Sequence, residues 1–281
     1  MNLSRRDMLK LGAGAAAVWA TGARALVARA AAGSKIPVGL QLYSVRDACT
    51  KDLPGVLEAV GKMGYQGVEF AGYYGRNAAE LRKLLDANGL KCCGTHTGLN
   101  TVTGDALKET IEFNQTLGNK FLIVPGLPQA SVASADACKK TAAFFTETAA
   151  KVKGQGMHVG YHAHGGDFKK FDGETVWDIL FSNAGPDVVM QLDIGNSMDG
   201  GGDPIAILKK FPGRSLTIHL KEHGGPKGAA IGEGDVDWKE IFRLCETTGK
   251  TEWYIVEQES YAGGPLDSVE ACIKSLRKMG K

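Results

Sequence analysis

Short apolar runs alternate with longer stretches of helical periodicity from residue 36 to the end of the chain. The apolar runs predict eight strands, at 36–42, 67–70, 90–96, 120–125, 157–162, 188–193, 215–220 and 252–257. The stretches between and after them predict eight helices, at 53–63, 78–88, 106–117, 135–153, 175–181, 204–211, 238–247 and 266–279. Such alternation favours a parallel sheet, and eight units of this length are typical of a (β/α)₈ barrel. The sequence therefore predicts an α/β fold with a single TIM barrel domain over residues 36–281.

An open, doubly wound sheet is the structural rival of this barrel. That fold carries a glycine fingerprint for phosphate after an early strand, and none follows Leu42. Glycine-rich stretches stand instead at 165–166, 200–202 and 224–225, each after a predicted strand. In a barrel, the segments after the strands form the catalytic face, so we expect the functional site there.

The first 32 residues have a different character from the predicted barrel. Arg5 and Arg6 precede an Ala- and Gly-rich, weakly hydrophobic segment over residues 11–23. Paired arginines before such a segment are typical of a twin-arginine export signal, and the run is short for a transmembrane anchor. We therefore predict a twin-arginine signal peptide over residues 1–32, with a short amphipathic helix of the fold as the alternative. The protein is then expected in the periplasm or otherwise exported, and meets a membrane only during export.

The charge balance argues against a nucleic-acid partner. The whole chain has 33 basic and 31 acidic residues, a net charge of +2. Residues 1–30 carry five of the basic residues and one of the acidic residues, so their removal leaves a net charge of −2. Proteins that bind nucleic acids through phosphate contacts need an excess of basic residues. We expect a small-molecule partner and no nucleic acid.

The six cysteines show neither a CxxC pair nor the spacing of a zinc finger. An exported protein is able to keep disulfides, but no disulfide framework is visible in the spacing. We expect buried free thiols.

Ionisable residues are concentrated at the ends of the predicted strands. Four of the six histidines are among them, and the full set is Glu69, His96, His162, His164, Asp193, His219, Glu257 and Glu259. In a barrel these strand ends converge on one pocket. Imidazole and carboxylate groups together suit a divalent cation such as Mn²⁺, Zn²⁺, Co²⁺ or Mg²⁺. The sequence thus predicts a metal site at the end of the barrel.

Several of these residues also have structural interpretations. Asp193 and Glu257 are able to cap helices or form ion pairs, and His96 and His219 are able to lie in the core as hydrogen-bonded histidines. Glu69 is expected to orient a ligand or to bind substrate. Lys221 is expected to polarise a substrate oxygen or hold an anionic group, with a surface pair between Lys221 and Glu222 as the alternative.

Seven short motifs together resemble the sugar phosphate isomerase/epimerase family of xylose isomerase-like barrels, which also includes endonuclease IV. They are QLYSVRD at 41–47, GVEF at 67–70, YHAH at 161–164, DIGN at 193–196, HLKE at 219–222, GEGDVDW at 232–238 and VEQE at 256–259. The resemblance covers residues from about 36 to 280. It implies a TIM barrel that acts on a carbohydrate.

The resemblance also implies roles for individual residues. A divalent metal is expected on His162, Asp193, His219 and Glu257, with His164 as the alternative ligand from strand five. Many relatives have a glutamate at the position of His162 and use two glutamates as paired acid and base. A branch with a Tyr-His-Asn-His pattern is more similar to this chain, in which Ala163 replaces the asparagine. With a histidine on strand five, proton transfer is expected to involve Glu257 together with His164, Lys221 or Glu69.

Aromatic and polar residues near the strand ends are candidates for substrate binding. Tyr43, Tyr73 and Trp238 are able to stack on or border a sugar ring, and His96 and Glu259 are expected to contact substrate hydroxyls. The 232–234 segment is interpreted as a loop that shapes the pocket rather than as a phosphate cradle.

The function expected from this resemblance is an exported, metal-dependent isomerase or epimerase. It would remove the proton α to a carbonyl and form an enediolate, whose charge a cation stabilises. The first alternative is a lyase or hydrolase-like activity on 3-keto-glycosides or other oxidised sugars, since the same proton abstraction leads to elimination when the β carbon carries a leaving group. The second is a non-catalytic carbohydrate-binding barrel. An endonuclease IV-like phosphodiesterase is a third alternative, although that site resembles a three-metal centre with more ligands.

Related barrels are often dimers or tetramers, so a homo-oligomer is compatible with the resemblance.

Overall fold

Eight parallel strands form the centre of the molecule. The structure, a computed structural model, describes residues 35–281, so the predicted signal peptide over 1–32 lies outside the described residues. The strands are β1 (Val38–Gln41), β2 (Gly67–Phe70), β3 (Lys91–His96), β4 (Phe121–Val124), β5 (His158–His162), β6 (Val189–Gln191), β7 (Thr217–Leu220) and β8 (Trp253–Val256). Their order is β6-β5-β4-β3-β2-β1-β8-β7, and all the pairs are parallel.

The ring closes between β6 and β7 through a short contact. The backbone N–H of His219 donates to the carbonyl of Leu192 at 2.9 Å, and Asp193 and His219 form a parallel bridge. Two candidate ligands therefore lie at the seam of the barrel. The predicted TIM barrel is confirmed.

Helices surround the ring. They are α1 (Arg46–Met63), α2 (Ala78–Ala87), α3 (Ala106–Leu117), α4 (Ala135–Lys153), α5 (Val176–Asn183), α6 (Ile194–Asp199), α7 (Pro204–Lys210), α8 (Trp238–Leu244) and α9 (Pro265–Lys278). Within α1, Asp52 has non-helical angles and its carboxylate accepts from the N–H of Gly55 at 3.0 Å. The regular part of α1 thus begins where the sequence predicted it, at residue 53. Among residues 35–281, no helix is both long and apolar enough to span a membrane.

Two elements differ from the prediction. The short helix α6 follows β6 directly, because the Asp193 carboxylate accepts from the N–H of Asn196 at 2.7 Å and caps it. A two-stranded hairpin, Lys170–Phe171 with Glu174–Thr175, stands between β5 and α5. Both lie in segments left outside the predicted strands and helices, except that Thr175 was predicted to begin the fifth helix and instead ends the hairpin.

Apolar side chains fill the layer between strands and helices, where the large residues Trp177, Phe145 and Tyr254 are fully buried. All six cysteines are buried and unpaired, which confirms the predicted free thiols. The carboxyl end of the barrel is different, since Gln41, Glu69, Gln191 and His219 are fully buried there. Buried polar groups of this kind need partners, and those partners build the site.

Candidate active site

Four side chains of the kinds that bind metal ions meet at the carboxyl end of the barrel. One donor atom from each of His162, Asp193, His219 and Glu257 lies within 4.8 Å of the others, and all four side chains are buried. They come from the ends of β5, β6, β7 and β8. The structure therefore brings together the four residues for which the resemblance implied a metal.

His219 lies among three carboxylates. Its Nδ1 is 2.7 Å from Glu257 Oε2 and 3.8 Å from Asp193 Oδ2, whereas its Nε2 is 2.6 Å from Glu69 Oε2. Burial alone would lower the pKa of His219, but the charges of Glu69 and Glu257 outweigh it and raise the pKa to about 10. His219 thus bears a proton on each nitrogen, and to hold a cation it would have to release one of these protons.

Glu69 lies behind His219 and does not line the cavity. Its carboxylate is fully buried and accepts from Gln41 Nε2 and Gln191 Nε2, each at 2.8 Å. A carboxylate hydrogen-bonded to the far nitrogen of a ligating histidine orients the ring and raises its basicity. Glu69 is thus placed to orient His219, whereas its predicted part in proton transfer stays a prediction.

Gln191 determines which nitrogen of His162 is free. The Gln191 amide donates from Nε2 to Glu69 and to Thr217 Oγ1, so its Oε1 must be an acceptor. That oxygen is 3.1 Å from His162 Nδ1 and 2.9 Å from His96 Nε2. Both nitrogens must therefore carry protons. Since burial lowers the pKa of His162 well below its usual value, His162 is neutral and its Nε2 lone pair faces Glu257.

The hydrogen bonding of Asp193 indicates whether the cluster is able to hold a cation. Its Oδ1 accepts the N–H of Asn196, whereas Oδ2 is buried and has no hydrogen-bond partner. Burial and the negative charge of Glu257 raise the pKa of Asp193 to about 7. A buried oxygen without a partner is costly, and a cation among two imidazoles and two carboxylates would satisfy it. The donor set fits a divalent metal.

Lys221 adds a positive charge beside this cluster. Its Nζ donates to Asn196 Oδ1 at 2.9 Å, is 3.6 Å from Glu257 Oε1 and contacts the Glu259 carboxylate. Burial alone would lower the pKa of Lys221, but Asp193 and the two glutamates raise it above its usual value. Lys221 is therefore charged, which fits the predicted polarising role.

A cavity of about 330 Å³ opens above the cluster, within the range of small-molecule sites. It contains five of the residues predicted to bind substrate or transfer protons, and its walls are Tyr43, Ala71, His96, Pro125, His162, His164, Glu257 and Glu259. His164 lies at the mouth, where Asp167 accepts its backbone N–H at 2.8 Å and also the hydroxyl of Tyr161. Asp167 thus fixes the turn that presents His164.

Two aromatic residues predicted to border the substrate lie elsewhere. Trp238 is 5% exposed, starts α8 and donates from Nε1 to Glu222 Oε2 at 2.8 Å. Tyr73 packs on Phe113 with ring centroids 4.2 Å apart. Neither lines the cavity. Each ring is used in packing, so this cavity gives no support to their predicted contact with substrate, which stays a prediction.

Glu222 is not the partner of Lys221 in a surface pair. Its carboxylate accepts from the backbone N–H groups of His223, Gly232 and Val236 and from the indole of Trp238. It therefore holds the long segment after β7 in place, including the 232–234 loop.

Sequence reasoning gave no role to Gln41, Gln191 and Asn196 and considered Glu222 only as a surface partner of Lys221, although all four support the site. One signal was available for Gln191. It is a polar residue inside an apolar run, two positions before Asp193, where successive side chains alternate between faces.

Replacement of Gln191 by Leu should weaken metal binding about 10–100-fold, the usual cost of losing a partner of a ligand. The reason is that Gln191 holds the Nδ1–H tautomer of His162. Calorimetric titration with Mn²⁺ measures the affinity, and ¹⁵N NMR of the histidines reports the tautomer before metal is added. Gln155→Leu, an exposed glutamine, is the matched control. Unchanged affinity and tautomer would refute the role of Gln191.

Gly94→Ala tests the placement of Glu69. Gly94 is the β3 neighbour of Glu69, and a Cβ there would lie 2.2 Å from Glu69 Oε1. We expect the carboxylate to move from His219, with a loss of about 10-fold in metal affinity by the same titration. Gly126→Ala, where a Cβ meets nothing within 4 Å, should bind as the wild type does. Equal affinities in the two variants would contradict this account.

Comparison with known proteins places these features among relatives. The sequence model of a family described as "Xylose isomerase-like TIM barrel" matches residues 57–279. An inosose dehydratase from Serratia proteamaculans is 27% identical over 241 residues, covering 70% of this chain and 78% of the relative. The rhizopine catabolism protein MocC from Rhizobium meliloti is 24% identical and covers 72% and 73%. A crystal structure described as a sugar phosphate isomerase/epimerase from Parabacteroides distasonis superposes with a TM-score of 0.75 at 25% identity, over 86% of this chain and 98% of the other.

Proposed function

The chain belongs to the xylose isomerase-like TIM barrel family, and on that premise we propose that it is a metal-dependent lyase of oxidised sugars. In this proposal the enzyme removes the proton α to a ketone and expels the oxygen substituent on the β carbon. Export by the signal over residues 1–32 is part of the proposal and would bring the enzyme to substrates outside the cytoplasm.

The observation that carries the proposal is the cluster of His162, Asp193, His219 and Glu257 beneath a cavity that His164 borders. Two imidazoles outside the four-residue set line the cavity, His164 at its mouth and His96, and Lys221 supplies a fixed positive charge beside the cluster. This combination suits proton abstraction next to a carbonyl, since a base and a stabilised oxyanion are its two requirements.

A divalent cation held by those four residues would supply positive charge for the two oxygens of the enediolate. The chain's own residues do the rest. His164 accepts the proton from the α carbon, and the electron pair of that C–H bond forms the carbon–carbon double bond of the enolate. When the enolate collapses, the β carbon–oxygen bond breaks and the oxygen leaves with the bonding pair. Its proton returns from His164, so that an enone and an alcohol or water are the products.

The histidine on β5 favours elimination over epimerisation. Epimerisation needs a proton-transfer group on each face of the substrate, and the resemblance implied paired glutamates for that purpose. Here His162 stands in the place of one of them, with Nδ1 donating to Gln191 and Nε2 directed at the ligand cluster. Relatives named inosose dehydratase support the proposal, since a dehydration is an elimination of this kind.

Isomerisation or epimerisation is the second candidate. One observation favours it: both Glu257 and His164 line the cavity, so two groups are within reach of a bound ring. The similar structure described as an isomerase/epimerase agrees with it.

One experiment separates these functions. The metal-loaded full chain is incubated in D₂O with 3-keto-glycosides, and products are followed by NMR and by the ultraviolet absorption of an enone. Enone formation with release of the β substituent is the expected result. Deuterium incorporation into an epimer or isomer without enone would favour the second candidate. Binding of the sugar with neither deuterium exchange nor product would favour a binding barrel and contradict both enzymatic functions.

A further inference from the structure

A second cavity of about 370 Å³ adjoins the candidate active site. It is formed by Asp199 at the end of α6, by the segment 221–229 after β7 and by the segment 258–260 after β8. Glu259 lines both cavities, and its ion-pair partner Lys221 lines the second. The two spaces therefore meet at the Lys221–Glu259 pair, beside the ligand Glu257.

The wall of this second cavity is held by specific contacts. Glu222 accepts several N–H groups of the 223–238 segment, and Gln258 donates from Nε2 to the carbonyl of Ala229 at 2.9 Å. Gly228 has a φ of 76° and packs so closely on the 261–262 backbone that a Cβ would lie 2.1 Å from the N of Ala262. The cavity is thus a preformed part of the fold.

The chemistry of the lining points to a neutral, polyhydroxylated ligand. Hydrogen-bonding groups come from Asp199, His223, Ser260 and Glu259, and His223 Nδ1 lies 2.8 Å from Asp199 Oδ1. Among the lining residues that the structure describes, none is Leu, Ile, Val, Met, Phe, Tyr or Trp. The lining contains two lysines, Lys221 and Lys227, and three carboxylates, so it has no excess of positive charge for a phosphate. Paired donors and acceptors, with Pro226 and Ala229 as the apolar residues of the lining and no large apolar side chain among the described ones, suit a sugar ring and its hydroxyls.

We propose that the second cavity is the leaving-group subsite and holds a second sugar ring, so that the substrates are keto-glycosides of two or more units. This inference rests on the proposed function, because it takes the bond between the two rings to be the β carbon–oxygen bond that breaks. The oxidised ring occupies the cavity above the ligand cluster, and the bond to the second ring lies at the Lys221–Glu259 pair. The step is the elimination given above, with the second sugar leaving as the alcohol, and it needs no further reactant.

For each anomer, the test compares a methyl 3-keto-glucoside with a 3-keto-disaccharide. The α-methyl compound is matched with 3-keto-maltose and the β-methyl compound with 3-keto-cellobiose. In the wild-type full chain, the disaccharide of the preferred anomer should have a kcat/KM at least 10-fold above its methyl counterpart. The ratio of these two values should fall at least 5-fold in two variants. One carries both Asp199→Ala and His223→Ala, and the other carries Ser260→Trp, whose indole fills the cavity. Asp136→Ala on α4 is the control and should keep the ratio.

A ratio near one in the wild type, or an unchanged ratio in both cavity variants, would overturn the subsite. If neither substrate is turned over, the proposed lyase function fails and a binding measurement still decides the inference. Calorimetric titration with maltose, cellobiose and the methyl glucosides should then show tighter binding of a disaccharide in the wild type and loss of that preference in the cavity variants. Equal binding of all these sugars would overturn it.

Discussion

Asp193→Asn and Glu257→Gln should each abolish stoichiometric metal binding. Both changes preserve size, and Asn at 193 keeps an oxygen for the N–H of Asn196, so the fold is expected to remain. Each removes a negative charge from a cluster whose donors lie within 4.8 Å. The wild type should retain about one ion per chain after dialysis, as a four-ligand site does, and the variants a small fraction of that. Elemental analysis of the purified full chain measures it.

The same variants should lose the thermal stabilisation that metal provides. At a concentration of 100 times Kd, a ligand stabilises the folded state by about 2.7 kcal/mol. For a chain of this size that corresponds to an increase of roughly 5–10 °C in Tm. Mn²⁺ should produce this increase in the wild type and in the surface control Asp187→Asn, and little in Asp193→Asn or Glu257→Gln. We also expect affinity to fall at acidic pH, because protons compete for the ligands. A wild type that binds no ion when properly folded would refute the metal site.

His164→Ala should lower kcat by about 10²–10⁴-fold, the usual contribution of a general acid–base group. His164 lines the cavity and its backbone is fixed by Asp167, yet it is not one of the four clustered donors. Metal content should therefore stay at the wild-type level while α-proton exchange in D₂O is lost. Turnover and exchange are measured on the same keto-sugar.

The control for this prediction is a histidine on β5, the strand that leads to His164. His158→Gln changes the first residue of β5, at the opposite end of the barrel from His162 and His164, where the ring stacks on Phe121. It should retain both metal and turnover. If His164→Ala loses metal in parallel with activity, then His164 supports the ligand set and the base must be sought among His96, Glu257 and Glu259. Full activity in His164→Ala would contradict its role as base.

Much of the fold was predictable because its signals are local. Apolar strands, helical periodicity and closing glycines repeat along the chain, and each depends on residues only a few positions apart. The two predicted bounds of α4 coincide with the observed Ala135–Lys153. The segment after β6 was missed as a helix, because it is one short helix capped by Asp193, a residue already interpreted as a ligand.

The sequence by itself determined that His162, Asp193, His219 and Glu257 would converge, since the carboxyl ends of parallel strands must meet in a barrel. Only the tertiary structure decided how each supporting side chain is used. Glu69 contacts His219 across 150 positions of the chain, and Gln191 contacts Glu69 across 122. The path of the segment after β7, and with it the burial of Trp238 and the second cavity, depends on Glu222. Those contacts join residues far apart in sequence or within an irregular loop, where no periodic pattern records which partner a polar group will find.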